Sequence, residues 1–194
     1  INLTFTPAQK VRRSSQVKIA ILGHRGVPNR YGGFETFAEE VGAELASSGH
    51  QVTVYCRSHN EKKKKKRYRG MKLIHLPAIQ QKFLDTLSHT FLSVLHLVIK
   101  NRVDIVLMVN VGNAPVSWIP RLFGMPVVLN VDGLEWQRKK WPTLAKAYLR
   151  TCATLAKWLP TEVVTDADVI QHFYKTVLNK ESTMIPYGAV VERR

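Results

Sequence analysis

Three short stretches of this chain gather the groups able to do chemistry. The first is Gly23-His24-Arg25-Gly26-Val27-Pro28-Asn29-Arg30-Tyr31-Gly32-Gly33. It joins an apolar run, Val17 to Leu22, to a segment with Phe34, Phe37, Ala38, Val41 and Leu45 at helical spacing. A glycine-rich turn between a strand and a helix collects unpaired N–H groups and the positive end of the helix dipole at one spot, which suits a phosphate or another anion. Gly32 and Gly33 open the backbone to close approach, and Arg25 and Arg30 add positive charge. Neither G-x-G-x-x-G nor G-x-x-x-x-G-K-[ST] occurs, so the common nucleotide loops are excluded. The plainer alternative is a tight turn that needs glycine for its dihedrals.

The second stretch, Asp132-Gly133-Leu134-Glu135-Trp136-Gln137-Arg138, leaves an apolar run for a loop, where catalytic and binding groups concentrate. Asp132 and Glu135 are its carboxylates. Asp132 before Gly133 equally suits a turn, and Glu135 with Arg138 equally suits an i,i+3 ion pair. Trp136 and Trp141 offer flat apolar walls of the kind on which sugar rings stack, or plain core packing. The third stretch, Asn110-Val111-Gly112-Asn113, brings two amides and a glycine to another strand end. The seven histidines show no metal-ligand spacing, so no zinc or two-metal centre is expected. No G-x-S-x-G nucleophile elbow is present.

The elements that must position these groups alternate regularly. Strand-like runs fall at 17–22, 51–55, 71–76, 104–109, 127–131, 162–165 and 182–185. Helical patterns fall from 34 onward and at 82–100, 114–123, 141–159 and 166–178, with Pro142 in a first turn and Asp166 as a cap. Repeated βα units with continuous apolar strands predict an α/β domain: a Rossmann-like parallel sheet with helices on both faces. Ligands then bind at the carboxyl ends of the strands. Residues 1–16 read as a basic tail and 17–190 as one domain. The stretch from Phe83 to Ile99 is the most apolar. Its Asp85, Ser88, His89, Ser93 and His96 make it a buried amphipathic helix in this reading, not a membrane span.

The net charge of +15 is concentrated. Between Arg57 and Lys72 nine basic residues face one acid, Glu61. Such a run suits a solvated loop, an anionic lipid surface or nucleic acid. Nucleic acid is the weakest of the three, because Tyr68 is the only aromatic among the cations. Two cysteines, Cys56 and Cys152, form no C-x-x-C pair, and a reducing cytoplasm fits them.

Four segments taken in order, Gly23 to Phe37, Val52 to Arg57, Val131 to Arg138 and Ser182 to Ala189, resemble a known family. They are similar to the N-terminal half of bacterial family 4 (GT4) glycosyltransferases, in the rhamnosyltransferase-like subgroup of capsule and surface polysaccharide synthesis (DUF1972-type). His24 departs from the small hydroxylated residue expected there. The resemblance implies one half of a GT-B fold, the acceptor side of a two-domain hexosyltransferase that retains anomeric configuration. By this likeness Gly32 and Gly33, with Arg25 or Arg30, would hold the donor diphosphate. Asp132 would orient a donor or acceptor hydroxyl with Glu135 beside it, and Asn113, Trp136 and Arg138 would meet the acceptor. The nucleotide sugar would be a co-substrate, and no metal or redox cofactor would be needed.

The implied acceptor is a lipid-linked saccharide at the cytoplasmic face of the membrane. An anionic surface there would meet Lys62, Lys63, Lys64, Lys65, Lys66 and Arg67; nucleic acid is not an expected partner. The Glu-x7-Glu donor signature does not occur in the chain. Residues 191–194 would begin a linker, and transfer would require a C-terminal donor domain or a separate chain. The alternative from another class is a non-catalytic glycan- or lipid-surface-binding or regulatory module.

Overall fold

The structure, a computed structural model, describes residues 16–29, 32–60, 64–81, 84–139 and 141–188. After its exposed first residue, Lys18, the strand β1 (Lys18–Leu22) is apolar because both of its faces are covered. Ile19 and Ile21 enter a core with Ala38 and Ala43 of α1 (Gly33–Ser47), with Val52 and Val54 of β2 (Gln51–Arg57), and with Met71 and Leu73 of β4 (Met71–Leu76). Ala20 and Leu22 point the other way. They join Val94 and Leu97 of α2 (Leu84–Lys100), Met108 of β5 (Ile105–Val109) and Leu129 of β6 (Val127–Val131). The same core takes in Cys152 and Ala153 of α4 (Thr143–Leu155), Val163 of β7 (Glu162–Thr165), and Ile170 and Tyr174 of α5 (Asp168–Thr176).

With β3 (Arg67–Tyr68) and β8 (Thr183–Met184), the sheet runs β3-β4-β2-β1-β5-β6-β7-β8. Every pairing is parallel except the β3–β4 hairpin. Strand order reverses at β1, so the loops leaving β1 and β5 part and open a crevice at their carboxyl ends.

Several elements differ from the sequence expectation. The segment 114–123 is not one helix; a 3-10 turn (Val111–Val116) is followed by α3 (Trp118–Leu122). Pro115 and Pro120 each remove a ladder donor there. α4 starts at Thr143, because Pro142 is extended with ψ 161°. α5 starts at Asp168 behind an extended Ala167, so Asp166 does not cap it. The basic segment contains β3, whose turn residues Arg69 and Gly70 have φ of 44° and 80°. Positive φ at both central positions is the geometry a two-residue hairpin requires. α2 also differs, since its buried side includes His89, Thr90 and Ser93 while several large apolar side chains face outward.

Candidate functional site

The glycine turn is fastened to both of its neighbours. Gly23 has φ +102°, and a Cβ on it would stand 2.4 Å from the Val109 carbonyl oxygen and 2.8 Å from Asn113 Nδ2. This glycine is required where β1 and β5 meet. The rest of the turn is held by α1. The Arg25 N–H donates to Glu35 Oε1 at 2.9 Å, and the Asn29 N–H donates to Glu39 Oε2 at 2.6 Å. Glu35 is buried, and its other oxygen would lie 3.2 Å from a Cβ on Gly32. Part of the positive potential at the start of α1 is therefore met by the protein's own carboxylate. Gly32 is the N-cap and offers no side chain to the helix N–H groups. At Gly33 a Cβ would have nothing within 4 Å among the described residues. Arg30 lies outside the described residues.

A pocket of about 390 Å³ opens at the carboxyl end of β5. Leu84, Thr86 and Leu87 form one wall from α2, and Leu144, Ala145 and Tyr148 form the facing wall from α4. Asn110, Gly112 and Asn113 line it, with Glu135 and Trp141. Asn110 has φ 74° and ψ 121°, a backbone state that non-glycine residues seldom adopt and that clusters at functional sites. Its Oδ1 accepts from the Gly112 N–H at 2.8 Å, and the Tyr148 hydroxyl donates to the Gly112 carbonyl at 2.8 Å. Burial and the nearby Cys152 push the Tyr148 phenol above its usual range, so it stays a neutral donor. Asn113 is fully buried. Its Nδ2 donates to Val109 O at 2.8 Å and Gly23 O at 3.3 Å, bridging the crevice, while its Oδ1 has no hydrogen-bond donor among the described residues.

Glu135 pairs with Arg138 and accepts from Trp141 Nε1 at 3.0 Å. A carboxylate so held is oriented toward the pocket. Asp132 lies elsewhere: it faces the closing segment, where Tyr187 packs at a tilt against Phe37 of α1 with ring centroids 5.4 Å apart. Burial, then Asp132 and Asp166, raise the Tyr187 phenol well above its ordinary range. The two candidate carboxylates thus serve different walls. Trp136 packs on Phe173 at 5.3 Å, so Trp141 is the indole that lines the pocket. Sequence reasoning missed Tyr148, although Trp141, Leu144, Ala145 and Tyr148 form an i, i+3, i+4, i+7 stripe that signals one wall. Tyr187 carries no local signal, because its contact is made across 150 residues of chain.

Behind Thr86 lies a buried polar cluster that the sequence also concealed. Arg57 reads as the first member of the basic run, yet it is 2% exposed. It pairs with Asp85 and donates from its second terminal nitrogen to Thr86 Oγ1 at 2.8 Å. Its alternation with Thr53 and Tyr55 along β2 was the available clue. Burial, then His89 and Arg57, push His24 down to about 3, and burial pushes His89 down to about 4. Both imidazoles are neutral at pH 7. Of the basic run, Lys64, Lys65, Lys66 and Arg67 are exposed at the β3–β4 hairpin, while Lys62 and Lys63 lie outside the described residues. Among the described residues no group of three His, Cys, Asp or Glu side chains is placed to hold a metal ion.

Residues 16–190 match the family described as DUF1972, a domain of unknown function. The chain belongs to this family. No curated protein matches it significantly. Among solved structures, a sucrose-phosphate synthase from Thermosynechococcus elongatus superposes with TM-score 0.69 at 15% identity, covering 90% of this chain and 49% of the other. UGT89C1 of Arabidopsis thaliana, solved with UDP-L-rhamnose, gives 0.60 at 12%, covering 93% and 54%. CalG4, the calicheamicin glycosyltransferase, gives 0.52 at 11%, covering 90% and 53%. The DUF1972 domain therefore has a fold similar to that of GT-B glycosyltransferases, and it spans about half the length of each of these chains.

Proposed function

We propose that this domain is the acceptor-side half of a nucleotide-sugar-dependent glycosyltransferase, of the rhamnosyltransferase-like GT4 kind that builds bacterial surface polysaccharide. The observation that supports it most is the pocket beside the β1/β5 crevice, at the strand ends where an α/β sheet of this order binds ligands. Its apolar walls and Trp141 suit an acceptor ring, while Asn110, Asn113 and Glu135 supply the few convergent polar groups that fix orientation. The helix start at Gly33 suits a donor diphosphate presented by a second half, with Arg25 nearby in the same turn. Asp132, under Tyr187, would orient a hydroxyl between the two substrates. Catalysis would rest on position and on stabilising the leaving phosphate, and the acceptor would be a lipid-linked saccharide at the cytoplasmic membrane face.

The test is sugar transfer by the chain fused to a nucleotide-sugar-binding C-terminal half. Leu144 is 83% exposed at the pocket, so Leu144→Trp obstructs the pocket without disturbing the core. It should raise the acceptor KM at least tenfold and leave donor binding unchanged. Gly33→Trp enlarges the helix start and should weaken donor binding instead. If the fused, folded protein transfers no sugar, or if neither variant alters transfer, the reading is wrong. Saccharide binding at the pocket without transfer would favour a non-catalytic glycan-binding module.

A further inference from the structure

We propose that the outer face of α2, with the basic β3–β4 hairpin beside it, docks this domain on an anionic lipid surface. α2 buries polar as well as apolar side chains against the sheet and leaves large apolar side chains outside. Its buried side holds His89, Thr90 and Ser93, each 0% exposed, beside Val94 and Leu97. Its outward side carries Leu84 and Phe91 at 43% exposure, Leu92 at 36% and Ile99 at 73%. At 3.6 residues per turn these four share an arc of about 100°. The one acid of the helix, Asp85, is turned inward to Arg57, and no Asp, Glu, Lys or Arg occurs between it and Lys100. A helix face with no charges is not an ordinary solvated face, and a stripe of large exposed apolar side chains marks a contact surface.

Charge selects the partner. Lys64, Lys65, Lys66, Arg67 and Lys72 are exposed on and around the hairpin. Lys72 shares a face of β4 with Ile74 and Leu76, which pack against the core that holds Val94 and Leu97, so this cation stands on the same side of the sheet as α2. Arg69 is turned away, to Glu39 and Glu40 of α1 at 3.4 and 2.6 Å, and Lys65 lies over the ring of Tyr68, which bonds to Glu39, so Lys64, Lys66, Arg67 and Lys72 are the cations left to meet a surface. Cations flanking an uncharged apolar stripe match an anionic bilayer: the apolar side chains enter below the headgroups and the ammonium groups meet the phosphates. Nucleic acid would engage the cations and leave the stripe uncovered. Among the described residues no helix is long and apolar enough to cross a membrane, so the contact is a surface one. Leu84 belongs to both the stripe and the pocket, so docking here turns the pocket toward the lipid. Docking stands on the surface alone; only its purpose, presenting a lipid-borne acceptor, rests on the proposed function.

Flotation with phosphatidylcholine vesicles, with and without phosphatidylglycerol, tests it. The chain should float with the anionic vesicles only, and less as salt is raised. Each cation at an anionic leaflet contributes about fivefold in partition, so Lys64→Gln, Lys66→Gln and Lys72→Gln together should weaken binding about a hundredfold. Phe91→Gln with Ile99→Gln should weaken it at least tenfold while the pair still unfolds cooperatively, since Ile99 is mostly exposed and Phe91 is only partly packed. Lys175→Gln with Lys180→Gln, at α5, should float as the parent does. Equal binding to both vesicle types, or unchanged binding by the Phe91/Ile99 pair, overturns the proposal. So does a Phe91/Ile99 pair that converts a dimer of the chain to a monomer while still floating, which would make the face a protein interface. Gly33→Trp should float normally, so failure of docking and failure of the transfer reading are read separately.

Discussion

Two glycines of one turn should respond to the same substitution in opposite directions. Gly23→Ala places a Cβ 2.4 Å from the Val109 carbonyl oxygen and 2.8 Å from Asn113 Nδ2, on a backbone with φ +102°. The unfavourable backbone state costs about 1–2 kcal/mol. Overpacking against a carbonyl that cannot leave its strand adds roughly 1–3 kcal/mol. A total of about 2–5 kcal/mol is a large share of the roughly 5–15 kcal/mol that holds such a domain together. Gly33→Ala meets nothing within 4 Å among the described residues in the first turn of α1 and replaces a poor helix former. It should be neutral or stabilising by up to about 1 kcal/mol. Urea unfolding followed by tryptophan fluorescence measures both. With an m-value on the order of 2 kcal/mol/M, Gly23→Ala should lower the midpoint by about 1–2.5 M and Gly33→Ala should raise it slightly. Equal midpoints for the two variants would refute the claim that the crevice between β1 and β5 is closed by a glycine contact.

Other expectations follow from the buried polar groups. Arg57→Met leaves the Asp85 carboxylate without its buried partner and should cost about 3 kcal/mol, read as a fall in thermal midpoint of roughly 10 °C. His24 and His89 titrate near 3 and 4 in the folded chain against 6.5 when unfolded. Below pH 6.5 the unfolded chain takes up protons that the folded chain refuses. Stability is therefore complete above 6.5 and declines toward 4, by about 2 kcal/mol per histidine between pH 6.5 and 5. His89→Leu should remove about half of that slope in urea midpoints measured across this range, and an unchanged profile would contradict the assignment. Tyr148→Phe keeps the pocket wall but loses the bond to Gly112 O; it should cost about 1 kcal/mol in chemical denaturation and loosen Asn110.

The parallel sheet was legible because strands buried on two faces have to be largely apolar, as β5 is throughout and β1 and β6 are apart from Lys18 and Asn130. The hairpin strand β3 was not, since two residues, Arg67 and Tyr68, acquire strand character only by pairing with Lys72 and Met71. The direction in which α2 faces was equally hidden. Its sequence mixes Leu, Phe and Ile with Ser, Thr and His, and only the packed sheet shows that His89, Thr90 and Ser93 lie inside while Phe91 and Ile99 lie outside. The site was legible as loops and only partly as residues. Glu135 and Asn113 reach the pocket, whereas Trp136 turns to Phe173 and leaves that wall to Trp141.

Local rules determined where strands, turns and the glycine-rich loop occur, because hydrophobic period and turn chemistry act between near neighbours in the chain. Which glycine is indispensable, which carboxylate faces the pocket and which arginine is buried were decided by tertiary structure. Gly23 meets Val109 and Asn113, Arg57 meets Asp85, and Phe37 meets Tyr187. Each of these pairs is separated by 28 or more residues and is brought together only when β1 becomes the centre of the sheet. Desolvation and partner charge then set what those groups can do, and neither quantity exists until the chain has folded around them.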